Sequence, residues 1–314
     1  MARGAVFLMG PTGTGKSALA MRLAAELPFE IVSTDSALVY RGMDIGTAKP
    51  TPAMRGQVPH HLIDIRDAAV AYSAGEFVVD ARAAMEDIWQ RGRQPLLVGG
   101  TMLYFHALTA GIAALPDADL EVRARLDARA AASGWSSMHA ELVRVDAEAA
   151  ARIHPHDAQR IQRALEVQYL TGQPISVLQR LRRSVLEEVE VVEFALLPGD
   201  RTILHAHLAS RFAAMLADGF IDEVRSFFER DDLSAEHPSM RAVGYRQIWR
   251  HLEGKRSLEE ACSETLAATR QLAKRQLTWL RGRPNALPIR AAGADPEAGV
   301  LGLLTEERIL RWFR

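Results

Sequence analysis

The chain has 314 residues, of which 48% are hydrophobic and 25% charged, with a formal net charge of −1. This composition is typical of a folded chain of about two domains, and its charge excludes a global basic field, so any nucleic acid must bind to a local patch. The single Cys262 excludes an internal disulfide, and since no apolar run approaches the roughly 20 residues that span a bilayer, we expect a cytoplasmic protein with no membrane partner.

The first hundred residues predict strands that alternate with helices. Short apolar runs at 5–9 and 95–98 are typical of strands buried on both faces of a sheet, and residues 30–33 predict a further strand. Leucines at spacings of four predict a helix over 17–27, and a capping box at 73–76 predicts the start of a second helix, which ends near residue 91. This order indicates an α/β fold with a parallel sheet flanked by helices.

The amino-acid composition of the chain changes after residue 116. Residues 117–188 are rich in Ala, Arg, Glu and Leu and predict a small all-helical insertion domain. Residues 189–197 predict a strand that returns the chain to the sheet, and a helical pattern runs from Asp200 to the C-terminus. The predicted catalytic core therefore consists of residues 1–116 and 189–314.

A glycine-rich motif follows the first predicted strand and precedes a helix. Its residues fit the phosphate-binding loop (P-loop) pattern, in which backbone N–H groups surround a phosphate, a lysine adds charge, and a hydroxyl ligates Mg²⁺. We expect it to bind a diphosphate or a nucleotide such as ATP, with Ser17 as the metal ligand, although a glycine-rich turn is the alternative. The residues are Gly10, Pro11, Thr12, Gly13, Thr14, Gly15, Lys16 and Ser17.

The acid that usually accompanies this loop is displaced. In NTP hydrolases an apolar strand ends in an aspartate that helps to hold Mg²⁺, whereas here the strand at 95–98 runs into Gly99-Gly-Thr101. Asp35 follows a different predicted strand. The pattern disfavours an ATPase or GTPase and favours a bound diphosphate that acts as a leaving group.

Three predicted strands thus end in the P-loop, Asp35 and Thr101. Because ligands bind at the carboxyl ends of parallel strands, neighbouring strands would bring all three into one pocket. A carboxylate that faces a diphosphate is a candidate general base. Asp35 is equally suited to capping a turn or helix, and Thr101 to capping the helix that follows it.

Long motifs along nearly the whole chain resemble the tRNA dimethylallyltransferases, also called tRNA isopentenyltransferases. The first is Ser33-Thr-Asp-Ser-Ala-Leu-Val-Tyr-Arg-Gly-Met-Asp-Ile-Gly-Thr-Ala-Lys-Pro50. The similarity continues through 60–64, 97–104, 160–166, 241–246 and 269–279. The resemblance implies a P-loop NTPase-like core and transfer of the dimethylallyl group of dimethylallyl diphosphate to the N6 amine of an adenosine. That adenosine lies 3′-adjacent to the anticodon in tRNAs that read UNN codons.

The resemblance also implies roles for individual residues. Asp35 corresponds to the base that removes the amine proton, and Thr101 to a residue that holds the amine. Arg123 matches a residue that reaches into the same channel, although an ordinary solvated arginine is the alternative. Mg²⁺ is the implied cofactor. The target adenosine would be flipped out of the anticodon loop to enter the channel.

Four segments match the family's tRNA contacts. Independently of the match, Arg270, Lys274 and Arg281 lie on one face of a predicted helix, so their positive charges form a basic patch. Trp249 and Trp279 lie among apolar neighbours and are predicted to be core residues. The four segments are Asp35, Ser36, Ala37 and Leu38; Gln159, Arg160, Ile161, Gln162 and Arg163; Arg241, Ala242, Val243, Gly244, Tyr245 and Arg246; and Lys274, Arg275, Gln276, Leu277, Thr278, Trp279, Leu280 and Arg281.

Three other functions remain open at this point. An adenylate isopentenyltransferase shares the P-loop and the acid but uses free AMP or ADP, and a P-loop nucleotide kinase acts on a small molecule. A P-loop switch or RNA-binding module would bind tRNA without catalysis. The basic segments favour an RNA substrate, the anticodon stem-loop of tRNA, and we expect a monomer. The pair His60-His61 lacks further metal ligands at suitable spacing and is predicted to lie in a loop or at the surface.

Overall fold

The computed structural model describes residues 3–290 and Trp312. Within this part of the chain, six strands form one parallel sheet with the order β3-β2-β4-β1-β5-β6. The strands are β1 (Gly4–Met9), β2 (Phe29–Ser33), β3 (His60–His61), β4 (Gln94–Gly99), β5 (Glu190–Leu197) and β6 (Leu287–Arg290). The fold class is therefore the predicted α/β class.

The sheet order decides where the functional loops lie. Strands β2, β4 and β1 are neighbours, and every residue in them is buried. Their apolar side chains pack on both faces of the sheet, and β2 also buries the polar residues Glu30 and Ser33. Because the strands are parallel, the loops that follow them leave from the same edge of the sheet.

Four helices belong to the first part of the chain: α1 (Lys16–Glu26), α2 (Pro52–Gln57), α3 (Ala74–Gln90) and α4 (Met102–Ala110). The predicted capping box at the start of α3 is present, since Ser73 Oγ accepts from the Glu76 amide and the Glu76 carboxylate accepts from the Ser73 amide. Helix α1 packs Leu19 and Leu23 into the core beneath the sheet.

Residues 107–185 form a separate compact unit that is entirely helical. Its helices are α5 (Leu120–Ser133), α6 (Trp135–Val145), α7 (Ala147–Arg152), α8 (Ala158–Thr171) and α9 (Ile175–Arg180). The unit begins ten residues before the predicted range of 117–188. The end of α4 belongs to it because the Val185 amide and the Ser184 hydroxyl both donate to the Leu108 carbonyl.

The chain after β5 forms α10 (Arg201–Ala217), α11 (Phe220–Phe228), a 3₁₀ turn at Ser239–Arg241, α12 (Tyr245–Leu252) and α13 (Leu258–Arg281). Helices α11 to α13 enclose a second apolar core that includes Phe220, Tyr245 and Trp249. The prediction of helix throughout this region is wrong at β6, whose four residues are too short to show a strand pattern. Its continuation beyond residue 290 lies outside the described residues.

The prediction for His60-His61 is wrong in part. The pair forms β3 at the sheet edge, where Ile31 and Val32 of β2 are its partners, and its side chains are half-buried. His61 Nε2 lies 2.7 Å from Glu30 Oε2. A two-residue strand is too short to be recognised from alternation of polar and apolar residues. In residues 3–290, no helix is both long and apolar enough to cross a membrane.

Candidate active site

The P-loop connects β1 to α1, as predicted. Gly13 and Gly15 have φ angles of 83° and 84°, a left-handed conformation that favours glycine. Lys16 is the first residue of α1, and its Nζ donates a hydrogen bond to the Pro11 carbonyl at 2.7 Å. The loop and the helix N-terminus therefore direct backbone N–H groups and one ammonium into the same space, as an anion site requires.

Asp35 lies at the carboxyl end of β2, where it does two things. One carboxylate oxygen accepts a hydrogen bond of 2.9 Å from the Ala37 amide, so the predicted turn-capping role is present. The same carboxylate also lines the cavity above the P-loop. It lies close enough to the Lys16 ammonium and the Arg211 guanidinium to stabilise both charges.

Thr101 ties the ends of β2 and β4 together. Its hydroxyl accepts from the Ser36 amide at 3.1 Å and donates to the Ser36 hydroxyl at 3.3 Å. Its own amide donates to the Thr34 carbonyl at 3.2 Å. Thr101 precedes the first residue of α4, and these bonds place its hydroxyl beside the residue that follows Asp35.

Close packing requires glycine at the two positions before Thr101. A Cβ added to Gly99 would lie 2.3 Å from the Thr34 carbonyl oxygen, and one added to Gly100 would lie 2.2 Å from Gln276 Nε2. No larger residue fits at either position without displacing its neighbour. The glycines allow the segment that carries Asp35 to approach the end of β4 closely.

Arg211, on α10, is a site residue that the sequence interpretation missed. Its guanidinium donates to Thr12 Oγ1 at 3.2 Å and to the Thr47 carbonyl at 3.4 Å. It lines the same cavity as Lys16 and Asp35. Two cations and one carboxylate give this cavity a net positive charge that suits a polyanion.

Burial lowers the pKa of both cations. Removal of water from the Lys16 ammonium lowers its pKa from 10.5 to about 8, and the repulsion from Arg211 adds to this effect, while the Asp35 carboxylate opposes it. Burial also lowers the pKa of Arg211, again against the attraction of Asp35. A bound anion would stabilise both charged forms.

Gln276 joins the P-loop to β4 from the inner face of α13. Its Oε1 accepts from the Thr12 amide at 2.9 Å, and its Nε2 donates to the Gly100 carbonyl at 2.8 Å. The side chain is buried between these partners. Gln276 was expected at a tRNA contact, and its side chain instead faces the interior of the site.

Two cavities meet at this position. The P-loop cavity, of about 380 Å³, includes Lys16, Ser17, Leu38, Gly99 and Gly100 in its walls, a size within the range of small-molecule sites. A second cavity of about 140 Å³, the apolar chamber, is lined by Leu208, Phe212, Met215, Phe220, Val243 and Leu272 together with Ala37, Gly46 and residues 242–245. Both cavities share Thr12, Asp35, Thr47, Arg211 and Gln276.

The outer face of α13 carries the predicted basic patch. Arg270, Lys274 and Arg281 are exposed, while Ala273 and Leu280 are buried, as the helical spacing predicts. Arg275 and Thr278 are also exposed, and Leu277 is half-buried. Because the Leu280 side chain is buried, it is not one of the tRNA contacts, contrary to the expectation.

Trp279 corrects another prediction. It is 42% exposed rather than part of the core, and its ring lies 6.0 Å from that of His106. Trp249 is buried, as predicted. The difference arises because Trp279 lies beside the buried stripe of α13 and not within it. One position along a helix is enough to turn a side chain away from the stripe that contains Leu280.

The segment 241–246 combines two environments. Arg241 and Arg246 are exposed, whereas the four residues between them line the apolar chamber. The Tyr245 side chain is fully buried in the α11–α13 core, so it cannot contact tRNA from the surface. The segment thus runs from solvent into the chamber that ends at Asp35.

The remaining candidates lie in the helical unit, on α5 and α8. Arg123 forms a two-point salt bridge with Glu166, at 2.8 and 3.1 Å, and its side chain is 36% exposed. Arg163 donates to the same carboxylate at 2.6 Å. Gln159 and Arg160 are exposed and Gln162 is half-buried, but Ile161 is buried in the unit's core and its side chain is not a contact.

Comparisons with known proteins identify the family of this chain. The model of the IPP transferase family matches residues 38–283. The chain belongs to the IPP transferase family. This match begins after the P-loop, so the loop's identity rests on its own sequence and geometry.

Curated relatives within the IPP transferase family are named tRNA dimethylallyltransferase. The one from Bordetella petrii is 52% identical over 303 residues, which cover 96% of each chain. The one from Alkalilimnicola ehrlichii is 57% identical over 276 residues, which cover 88% of this chain and 87% of the relative.

Solved structures share the fold. The tRNA isopentenylpyrophosphate transferase from Bacillus halodurans is 35% identical, with a TM-score of 0.71 over 99% of this chain and 97% of that chain. A eukaryotic dimethylallyltransferase acting on tRNA is 24% identical, with a TM-score of 0.79 over 99% of this chain and 78% of that chain. At this identity, the second supports the fold alone.

Proposed function

We propose that this protein transfers the dimethylallyl group of dimethylallyl diphosphate to the N6 amine of the adenosine 3′-adjacent to the anticodon in tRNAs that read UNN codons. The products are N6-dimethylallyladenosine and diphosphate. The observation that carries the proposal is the single cavity that the Asp35 carboxylate, the Lys16 ammonium and the Arg211 guanidinium line together. It offers cations for a diphosphate and a base for an amine within one space.

The proposed reaction needs one bond broken and one formed. The allylic C–O bond breaks and its electron pair leaves with the diphosphate, while the N6 nitrogen forms the new C–N bond. An adenine amine is a weak nucleophile because its lone pair is delocalised into the ring, so its proton must be removed as the bond forms. Asp35 accepts this proton, and the Thr101 hydroxyl orients the amine.

The developing charge on the diphosphate is stabilised by groups already in place. These are the P-loop amides at the start of α1, the Lys16 ammonium and Arg211. Such preorganised donors act most strongly on the charge that appears as the leaving group departs. A neutral Lys16 would lose this effect, which links catalysis to its lowered pKa.

Mg²⁺ is the cofactor that the P-loop implies. Among residues 3–290, no three His, Cys, Asp or Glu side chains are grouped to hold a metal ion by themselves. The Ser17 hydroxyl lines the P-loop cavity, and a hydroxyl oxygen is a donor that Mg²⁺ accepts alongside phosphate oxygens. Ser17 would therefore hold the ion together with the diphosphate, where the metal supplies further charge neutralisation.

The adenine would enter through the apolar chamber. This chamber is lined by Ala37 and residues 242–245, which belong to segments expected to contact tRNA, and it ends at Asp35. Its aromatic and aliphatic walls suit the faces of a base taken out of its stack. The P-loop cavity and the chamber share Asp35, so the two substrates would meet there.

The tRNA itself would bind to local positive charge. Arg270, Lys274 and Arg281 on α13, with Arg241 and Arg246, offer exposed guanidinium and ammonium groups for phosphates. In the helical unit, Arg160 is exposed and would act likewise. Arg123 and Arg163, held on Glu166, are proposed to contribute to substrate binding.

Mass spectrometry of tRNA after incubation tests the proposal. With Mg²⁺ and dimethylallyl diphosphate, we expect a mass gain of one dimethylallyl group in place of one hydrogen at the adenosine next to the anticodon. A parallel reaction with AMP should give no product, and ATP should not be consumed. Modified AMP would favour an adenylate isopentenyltransferase, and ATP turnover would favour a kinase. Binding of tRNA without a mass gain would favour a non-catalytic module.

Two further expectations concern the protein in the cell. We propose that it acts as a monomer in the cytoplasm, where tRNA and reduced thiols such as Cys262 are found. Light scattering during size-exclusion chromatography measures the first, and localisation of a tagged protein measures the second.

A further inference from the structure

Glu223, on α11, accepts an unusual set of hydrogen bonds. One carboxylate oxygen accepts from the amides of Asp44 and Ile45, at 2.8 and 2.7 Å, and the other accepts from the Gly46 amide at 3.0 Å. The Tyr245 hydroxyl donates to the second oxygen as well. Three consecutive backbone N–H groups thus surround one carboxylate from a distant helix.

The loop that Glu223 holds is pressed tightly against α11 and α12. A Cβ added to Gly46 would lie 2.1 Å from the Phe220 ring and 2.7 Å from the Tyr245 ring. The Gly46 backbone therefore packs against both rings while its amide donates to the Glu223 carboxylate. These contacts with α11 and α12 fix the position of the loop.

This loop is also a wall of the proposed active site. Gly46 and Thr47 line the apolar chamber, and the Thr47 carbonyl accepts from Arg211. Tyr245, which donates to Glu223, lines the same chamber at the end of the segment 241–246. One carboxylate thus joins two walls of the chamber, one from the loop and one from α12.

We propose that Glu223 is a positioning residue that sets the width of the apolar chamber, and thereby the entry of the adenine to Asp35. This inference rests on the proposed function, because it assigns the adenine to the chamber. Glu223 itself touches neither substrate. The P-loop is held by Gln276 and by its own hydrogen bonds, so binding of the diphosphate should depend little on Glu223.

The test uses Glu223→Gln in the full-length protein. The amide keeps the size of the side chain, but its NH₂ group cannot accept a hydrogen bond, so in either orientation at least one of the three backbone N–H groups loses its acceptor. We expect kcat/KM for tRNA to fall about 10- to 100-fold, while the Kd for dimethylallyl diphosphate changes by less than about threefold. Amide hydrogen exchange within residues 44–46 should accelerate, by at least about tenfold at each N–H group that loses its acceptor.

Asp222→Asn is the matched control. It removes the same charge from the adjacent position, where the side chain is exposed and forms a salt bridge with Arg225 of the same helix. We expect wild-type kinetics and exchange. Tyr245→Phe removes one donor and keeps the ring, so a smaller effect of the same kind is expected even if Glu223→Gln folds poorly.

Three results would overturn the inference: unchanged kcat/KM for tRNA in Glu223→Gln and Tyr245→Phe, a loss of diphosphate binding as large as the loss for tRNA, or an effect of Asp222→Asn equal to that of Glu223→Gln. Hydrogen exchange separates this failure from that of the proposed function. If the wild-type protein modifies no tRNA, exchange at residues 44–46 still reports whether Glu223 holds the loop.

Discussion

The lowered pKa of Lys16 predicts a specific pH dependence. With a pKa of about 8 in the free protein, the ammonium is about 90% protonated at pH 7 and about 10% protonated at pH 9. If a diphosphate binds only beside the charged lysine, kcat/KM for dimethylallyl diphosphate should fall about tenfold between these values, since this parameter reports ionisation in the enzyme form that the diphosphate binds. The cause is burial, which disfavours the charged ammonium and lowers the pKa of Lys16 below the ordinary pKa of a lysine.

Two measurements check this reasoning. The first is kcat/KM for dimethylallyl diphosphate from pH 6.5 to 9.5 at saturating tRNA. The second is calorimetry of diphosphate binding at pH 8 in buffers of different ionisation enthalpy, which should show uptake of about half a proton per site, because binding restores the charge of Lys16.

Lys16→Arg provides the control. A guanidinium stays protonated over the whole range, so this variant should bind diphosphate less well but lose the alkaline decline. A flat wild-type profile up to pH 9.5 would refute the argument. A decline of the same size in Lys16→Arg would assign the titration to another group.

Three further predictions follow from the site. Asp35→Asn should lower single-turnover transfer by about 10²- to 10⁴-fold and leave tRNA and diphosphate binding within about threefold, as measured by quench kinetics and filter binding; near-normal turnover would remove Asp35 from the reaction. Arg211→Gln should raise KM for dimethylallyl diphosphate about 10- to 100-fold in steady-state assays, because a charge-assisted contact is lost; an unchanged KM would contradict its contact with the phosphates. Lys274→Ala with Arg281→Ala should reduce the slope of log K against log salt by about 1.4 in tRNA titrations; an unchanged slope would mean that this face of α13 does not meet phosphate.

The parts of the fold that could be predicted are those with local signals. Strands β1, β2 and β4 are buried on both faces, so apolar residues dominate their sequences, with continuous apolar runs at 5–9 in β1 and 95–98 in β4. The P-loop and the capping box at Ser73 are fixed spacings of particular residue types. These features depend on neighbours within a few residues, and the structure confirms them.

The residues that could not be predicted act across long stretches of chain. Arg211 reaches Thr12 over 199 positions, and Gln276 reaches the same residue over 264. Glu223 binds a loop 177 to 179 positions away. In the sequence, each of these residues is one polar residue among many on an amphipathic helix. Only the arrangement of α10, α11 and α13 around the sheet edge decides which of them faces the site.

At the end of β4, the sequence and the structure give different reasons for the same two glycines. In the sequence, Gly99-Gly100 stand where NTP hydrolases have an aspartate, so their presence indicates that this chain lacks the acid those enzymes use. In the structure, the same glycines have a packing cause, because a side chain at Gly99 would collide with Thr34 and one at Gly100 with Gln276. An aspartate at the end of β4 would therefore push away the segment that carries Asp35. The acid of this site instead follows β2, where Asp35 lines the same cavity as Lys16.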